Sequence, residues 1–147
     1  MQQPHIFVYG TLRHEYVRLP KSQRRLTPPN ALHSTGTFVA KAKLFNYRLL
    51  DLGEYPAILP SDGSFVIGDV FSVPDENILE VLDEYEGIGG LYDRPYEYRR
   101  QLVRVQLGDA SMSVWTYVYN WQPARFEWID GGDYVAHYMA KLATSND

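Results

Sequence analysis

One carboxylate in this sequence, Glu86, stands where a predicted helix would bury it. The helix is expected between Ser72, a candidate N-cap, and Gly87, a candidate left-handed residue at the C-terminal end. At about 100° per residue, Glu86 falls between the apolar residues Leu79 and Leu82, on the arc that faces the core. The later carboxylates that fall on the opposite arc are Glu80, Asp83 and Glu84.

Such a position would raise the pKa of the Glu86 carboxyl. Burial disfavours the charged form, the end of the helix carries a partial negative charge, and Asp83 adds a like charge. A carboxyl whose pKa approaches the working pH can both take and give a proton, which a general acid/base must do. The alternative is an ordinary helix-end glutamate that reaches solvent or pairs with Arg94. The helical pattern by itself does not separate the two.

A glycine turn follows directly on the first predicted strand, at Tyr9, Gly10, Thr11 and Leu12. Glycine there permits unusual backbone dihedrals or the close approach of a ligand. The backbone N–H groups of such a turn can also cradle a carboxylate or an oxyanion. The alternative is an ordinary turn with Tyr9 packed in the core.

Other catalytic chemistries find little support in the residue types. The sequence contains no cysteine, which excludes thiolate metal ligands and a cysteine nucleophile. The four histidines show no close spacing and no Gly-x-Ser-x-Gly elbow is present, so we expect neither a metal site nor that class of serine hydrolase. Among twelve tyrosines that could supply hydroxyls to a polar pocket, Tyr92 and Tyr119 are the candidate substrate contacts.

The elements around these residues predict an α+β fold with a mixed, partly closed β-sheet and two or three flanking helices. Besides the helix that carries Glu86, a short helix is expected at 133–142. The predicted strands are 5–9, several short strands within 34–59 with turn signals at Asn46, Gly53 and Pro56, then 65–73 after the turn Asp62-Gly63, 96–107 and 112–121.

Length and composition set the broad class. The chain has 147 residues, 45% hydrophobic and 22% charged, which is typical of one globular domain spanning 1–147. A net charge of −4 argues against a nucleic-acid partner, and the basic cluster 18–25 is interpreted as a solvated loop. No segment has the length of a membrane span, and a strand so close to Met1 leaves no room for a signal peptide. We therefore expect a cytoplasmic protein with no membrane partner.

Five motifs occur in order along nearly the whole chain, and the pair at 9–12 and 82–87 is specific in combination. They are Phe7-Val8-Tyr9-Gly10-Thr11-Leu12, Leu52-Gly53-Glu54-Tyr55-Pro56-Ala57, Val66-Ile67-Gly68-Asp69-Val70-Phe71, Leu82-Asp83-Glu84-Tyr85-Glu86-Gly87 and Leu91-Tyr92-Asp93-Arg94. In these residues the sequence resembles the γ-glutamylcyclotransferase superfamily, especially its branch of AIG2-like and γ-glutamylamine cyclotransferase-like proteins. Two segments depart from the superfamily pattern, Gly68-Asp69-Val70-Phe71 and Gly131-Gly132-Asp133-Tyr134.

The resemblance implies a small barrel and a specific reaction. A γ-glutamyl amide would cyclise to 5-oxoproline and release its amine, with Glu86 as proton acceptor and donor and the turn Tyr9–Leu12 holding the γ-glutamyl group. It implies a small-molecule substrate, no metal or organic cofactor, and a monomer or weak homodimer. Two alternatives stay open: a γ-glutamyl deacylase acting on a larger acylated molecule, and a non-catalytic binder of glutamyl-like ligands.

Overall fold

The computed structural model describes residues 3–19, 31–53, 55–89, 92–123 and 125–145. Most of the basic cluster, from residue 20 to 25, lies outside the described residues. No helix in the described part of the chain has the length and apolarity needed to cross a bilayer. The elements in chain order are β1 (His5–Val8), α1 (His14–Val17), α2 (Ala31–Thr35), β2 (Thr37–Asp51), β3 (Pro56–Ser72), α3 (Glu76–Tyr85), β4 (Tyr98–Leu107), β5 (Ala110–Tyr119), β6 (Glu127–Trp128) and α4 (Tyr134–Ser145).

Five of the strands close into a barrel. They are hydrogen-bonded in the order β3-β1-β5-β4-β2, and a long β2–β3 ladder joins the two ends of that row. β1 runs parallel to β5, whereas the other pairings are antiparallel, and β6 extends the sheet beside β2. The predicted α+β class with a small mixed barrel and flanking helices is thereby confirmed.

Both faces of β1 are buried, which explains why its sequence is apolar at every position after His5. Phe7 packs in one cluster with the barrel strands and α4, while Ile6 and Val8 pack in a second cluster with α3. Successive side chains of a strand point to opposite faces, so an unbroken apolar run requires cover on both sides. The C-terminal end of β1 therefore emerges between the barrel and α3, and the glycine turn begins there.

The prediction of several short strands within 34–59 is wrong. The chain instead forms two long antiparallel strands, β2 and β3, and Asn46 and the expected turn Asp62-Gly63 lie within these strands. The turn expected at Gly53 and Pro56 is confirmed, since it joins the two strands with Gly53 at φ of 111°. Asn46 is left-handed, with φ of 67°, and Gly63 has φ of 82° on the facing strand. The Gly63 N–H donates to Asn46 Oδ1 at 3.2 Å. These residues lie at a bulge, where the register shifts between the pairs Phe45–Phe65 and Tyr47–Pro60, and antiparallel pairing continues on both sides of it.

The helix that carries Glu86 begins later than predicted. Asp75 is its N-cap and accepts from the Asn77 N–H at 2.9 Å. Ser72 cannot cap it because Ser72 ends β3 and pairs with Thr37. The predicted end is confirmed, since Gly87 follows the helix with φ of 79°.

Candidate active site

The glycine turn owes its glycine to close packing. Gly10 is not among the residues with positive φ, so its backbone does not demand glycine. A Cβ built at Gly10 would lie 2.6 Å from Cγ of Pro56, the first residue of β3. Any larger residue would therefore push the turn away from β3.

Two hydrogen bonds fix this turn in the fold. The buried Tyr9 hydroxyl donates to the Tyr117 carbonyl of β5 at 2.6 Å. On the other side, Thr11 Oγ1 and the Tyr85 hydroxyl are 2.8 Å apart, which ties the turn to the last residue of α3. The turn and the end of α3 are thus held as one unit.

Three backbone N–H groups in the turn are available for a ligand. Gly10, Thr11 and Leu12 line a cavity of about 310 Å³. Within the described part of the chain, their N–H groups donate to no protein acceptor. Successive free N–H groups of this kind form an anion-binding concavity.

Glu86, at the end of α3, lines the same cavity. It is the C-cap residue of α3, and its backbone N–H bonds the Leu82 carbonyl. Burial, followed by the charges of Glu97 and Asp83, raises the pKa of the Glu86 carboxyl from 4.5 to about 8. Arg94, the alternative partner, lies over the Tyr96 ring instead.

Tyrosines surround the Glu86 carboxyl. Burial raises the pKa of Tyr9, Tyr85, Tyr98 and Tyr117, and the negative charge of Glu86 raises each of them further. Glu86 and these four tyrosines line the same cavity, which explains why its charge acts on all of them. The phenols stay protonated at neutral pH and can act only as neutral hydrogen-bond groups.

The expectation that Glu86 is the only late carboxylate of the helix directed toward the core side is wrong for Asp83. Its Oδ1 accepts from the Tyr117 hydroxyl at 2.7 Å and pairs with Arg100 Nε at 3.0 Å. Asp83 lies at the border of the outer arc, next to buried Leu79, so a neighbouring strand can reach it. The pairing holds the end of α3 against β4 and β5 and neutralises Arg100 away from the cavity.

A second cavity carboxylate, Glu97, was missed by the sequence reasoning. It lies just before β4 and lines the cavity. Its Oε2 accepts from the Tyr55 hydroxyl at 2.5 Å, and its side chain also bonds the Tyr119 hydroxyl. The sequence carries no signal for it, because the two tyrosines come from distant positions, one just before β3 and the other at the end of β5.

The two tyrosines predicted to contact substrate, Tyr92 and Tyr119, differ in their position relative to the cavity. Tyr92 lines the cavity and is largely exposed, in keeping with a place at its opening. Tyr119 is buried and is not among the lining residues described; it reaches the site through Glu97. Its expected contact with substrate is therefore indirect in this geometry.

Comparison with known proteins agrees with the family resemblance of the sequence motifs. A profile of the family described as Gamma-glutamyl cyclotransferase, AIG2-like matches residues 6–136. The chain belongs to this family. The family protein YtfP of Escherichia coli K12 is 33% identical over 130 residues, which cover 88% of this chain and 95% of YtfP. The γ-glutamylaminecyclotransferase of Rattus norvegicus is 31% identical over 134 residues, 85% of this chain and 83% of the relative.

The fold agrees with the family as well. The solution structure of Escherichia coli YtfP superposes with a TM-score of 0.62 at 28% identity, covering 90% of this chain and 97% of YtfP. The chain is therefore a γ-glutamylcyclotransferase-like protein by sequence and by fold.

The two departures from the family pattern meet at one buried cation. Arg13, directly after the turn, is fully buried, and its Nη1 donates to Asp133 Oδ1 at 2.8 Å. Asp69 Oδ1 lies 3.7 Å from Arg13 Nε, and Asp69 Oδ2 accepts from the His14 N–H at 2.9 Å. Asp69 and Asp133 therefore fix Arg13 and His14, the two residues that follow the turn.

We expect Asp69→Asn to lower the free energy of unfolding by about 2–3 kcal/mol, because it leaves Arg13 buried with one fewer counter-charge. Asp130→Asn is the control, since that side chain is 98% exposed and pairs only loosely with Arg48. Urea unfolding of the two variants at neutral pH measures the difference. Equal stability of the two variants would contradict a supporting role for Asp69.

We expect Gly10→Val to impair function more than Tyr9→Phe. The valine side chain collides with Pro56 and moves the N–H groups of the turn, whereas Tyr9→Phe removes one hydroxyl and leaves the backbone path unchanged. Titration with a glutamyl ligand should show a larger loss of affinity for Gly10→Val. The reverse order would argue against a backbone cradle.

One other polar cluster lies at the far end of β2. His137 Nε2 and Lys141 Nζ contact Asp51 Oδ2 at 2.9 and 3.0 Å, and Lys141 also pairs with Glu127 at 3.1 Å. Burial opposes ionisation of Asp51, but hydrogen bonds from Gly53, Lys141 and His137 hold its pKa below the usual value. Although three of these groups have metal-ligand chemistry, Lys141 already neutralises the carboxylates, so this is an ion-pair network joining α4 to the sheet.

Proposed function

We propose that this protein converts a γ-glutamyl amide into 5-oxoproline and a free amine. The observation that carries the proposal is the Glu86 carboxyl, with a pKa of about 8, which lines the same cavity as the three free N–H groups of the glycine turn. Family membership and the name of the rat relative support the same reaction class.

The reaction is an intramolecular aminolysis. The substrate's α-amine attacks its own γ-carbonyl carbon, forming a C–N bond within a five-membered ring and a tetrahedral oxyanion. The amide C–N bond then breaks and the amine leaves with a proton. Glu86 takes the proton from the α-ammonium and returns it to the leaving nitrogen, which requires a pKa between those of an ordinary carboxyl and an amine.

Charge decides how the substrate lies in the cavity. Glu97 repels the α-carboxylate, and Glu86 does so when it is ionised, whereas the N–H groups of Gly10, Thr11 and Leu12 attract an anion. We therefore place the α-carboxylate or the oxyanion on the turn and the amine near Glu86. A cavity of about 310 Å³ lies at the small end of ligand pockets, in keeping with a glutamyl group and a short leaving group.

Product identification tests the proposal. The purified chain is incubated separately with γ-glutamyl dipeptides, γ-glutamyl-lysine and an acylated peptide, and both 5-oxoproline and glutamate are quantified. Release of 5-oxoproline from a small amide supports cyclisation. Glutamate as the product would indicate a hydrolytic deacylase, and saturable binding with neither product would indicate a non-catalytic binder.

A further inference from the structure

His33, in the short helix α2, donates a hydrogen bond to the glycine turn. Its Nε2 lies 2.8 Å from the carbonyl oxygen of Leu12. Because a carbonyl oxygen only accepts, Nε2 is the ring nitrogen that carries the proton. His33 is not among the described residues that line the cavity, so it can act on a ligand only through the turn.

Packing holds the imidazole of His33 in a fixed position relative to the turn. The ring meets Phe71 of β3 edge-on, with 5.1 Å between the centroids and 78° between the planes. The preceding residue, Leu32, is fully buried and belongs to the same apolar cluster as Leu12 and Phe71. The donor to the Leu12 carbonyl is therefore preorganised, since its own position is fixed by its neighbours.

The Leu12 carbonyl begins a series of hydrogen bonds that leads to the cavity. The N–H of the same peptide unit belongs to Arg13 and donates to the Gly10 carbonyl at 3.0 Å. The Gly10 carbonyl shares its peptide unit with the Thr11 N–H, one of the three N–H groups of the turn that are available for a ligand. Hydrogen bonds in series polarise one another, so a bond accepted by each carbonyl makes the N–H of its peptide unit a stronger donor.

We propose that His33 is a positioning residue for the turn, which orients the Leu12 carbonyl and strengthens the Thr11 N–H as a donor to the α-carboxylate of the ligand. This inference rests on the proposed function for the identity of the ligand, and it adds a residue outside the cavity to the site. A carboxylate gains more from a stronger donor than a neutral carbonyl does, because charge-assisted hydrogen bonds are the stronger ones.

Two substitutions separate the hydrogen-bond donor of His33 from its ring. His33→Phe keeps an aromatic ring beside Phe71 and removes the donor. His33→Gln removes the ring and places an amide NH₂ group about as far along the side chain as Nε2. If the ring only packs, the phenylalanine variant should resemble the intact chain more closely. If the donor matters, the glutamine variant should do so, and this is the expected result.

NMR titration of the intact chain and both variants with 5-oxoproline measures the effect. The affinity for 5-oxoproline should fall by about 3- to 10-fold in His33→Phe, the worth of one hydrogen bond, and stay within about twofold in His33→Gln. The control ligand is 2-pyrrolidinone, which has the same ring without the carboxylate. Its affinity should change by less than about twofold in either variant, because no charged acceptor is present.

Three outcomes would overturn the inference. The first is an equal loss of affinity for both ligands in His33→Phe, which would indicate general damage to the cavity. The second is weaker binding of 5-oxoproline by His33→Gln than by His33→Phe. If His33→Phe does not fold, a loss above about threefold in folded His33→Gln is the third. Failure of the intact chain to release 5-oxoproline from any γ-glutamyl amide, with the expected order of affinities preserved, would contradict only the proposed function.

Discussion

Glu86→Gln is expected to lower kcat for 5-oxoproline release by roughly 10²–10⁴, the usual worth of a positioned acid/base. The amide has nearly the shape of the protonated carboxyl, so the cavity and α3 should be preserved. The amide side chain cannot accept the ammonium proton or return a proton to the leaving nitrogen. KM should change far less than kcat, because the N–H groups of the turn still hold the substrate.

Glu84→Gln is the matched control for this loss. Glu84 lies in the same last turn of α3, is exposed, and does not line the cavity. Its replacement makes the same chemical change in the same turn of the helix and should leave kcat within about twofold. Turnover by Glu86→Gln equal to that of Glu84→Gln would remove Glu86 from the mechanism.

The helical pattern placed Glu86 correctly because α3 is regular. Leu79 and Leu82 are fully buried, and Glu86 falls between them on the same arc. The pattern could not separate a solvent-facing glutamate from an inward one, because that depends on what covers the helix end. In the structure the Thr11–Tyr85 hydrogen bond, between residues 74 positions apart, brings the turn over the helix end, and Glu86 lines the cavity there.

The rest of the site was out of reach of the sequence for the same reason. Glu97 is oriented by Tyr55 and Tyr119, and Arg13 is balanced by Asp69 and Asp133, each set from separate elements. Local periodicity contains no information on such pairings, since it describes one element at a time. The wrong prediction of several short strands within 34–59 has a related origin.

That error came from taking turn-type residues as strand ends. Asn46 and Gly63 carry the left-handed dihedrals that usually end strands, yet β2 and β3 continue past them. Whether such residues form a turn or a bulge depends on the partner strand across the ladder. In the barrel, β2 and β3 supply that partner to each other on both sides of the bulge.

The stability of the fold is expected to fall as pH rises through the range in which Glu86 would ionise. Burial, then the charges of Glu97 and Asp83, raises the pKa of Glu86 from 4.5 to about 8 in the folded chain. Between these values the folded state keeps a proton that the unfolded state has lost. The folded state binds more protons, so this group's stabilisation is complete below pH 4.5 and is lost as pH approaches 8.

The Glu86→Gln variant isolates this effect, because it removes the ionisable group and leaves every other titration in place. The free energy of unfolding of the variant minus that of the intact chain should be near zero at low pH. It should then grow by up to about 1.4 kcal/mol per pH unit between 4.5 and 8 and level off above 8. Urea unfolding of both proteins from pH 5 to 9 measures it, with Glu84→Gln as the flat control. A difference that stays constant across this range would mean that Glu86 ionises in the fold as it does in water. A carboxylate with that ordinary pKa would be a poor proton donor to a leaving amine at neutral pH.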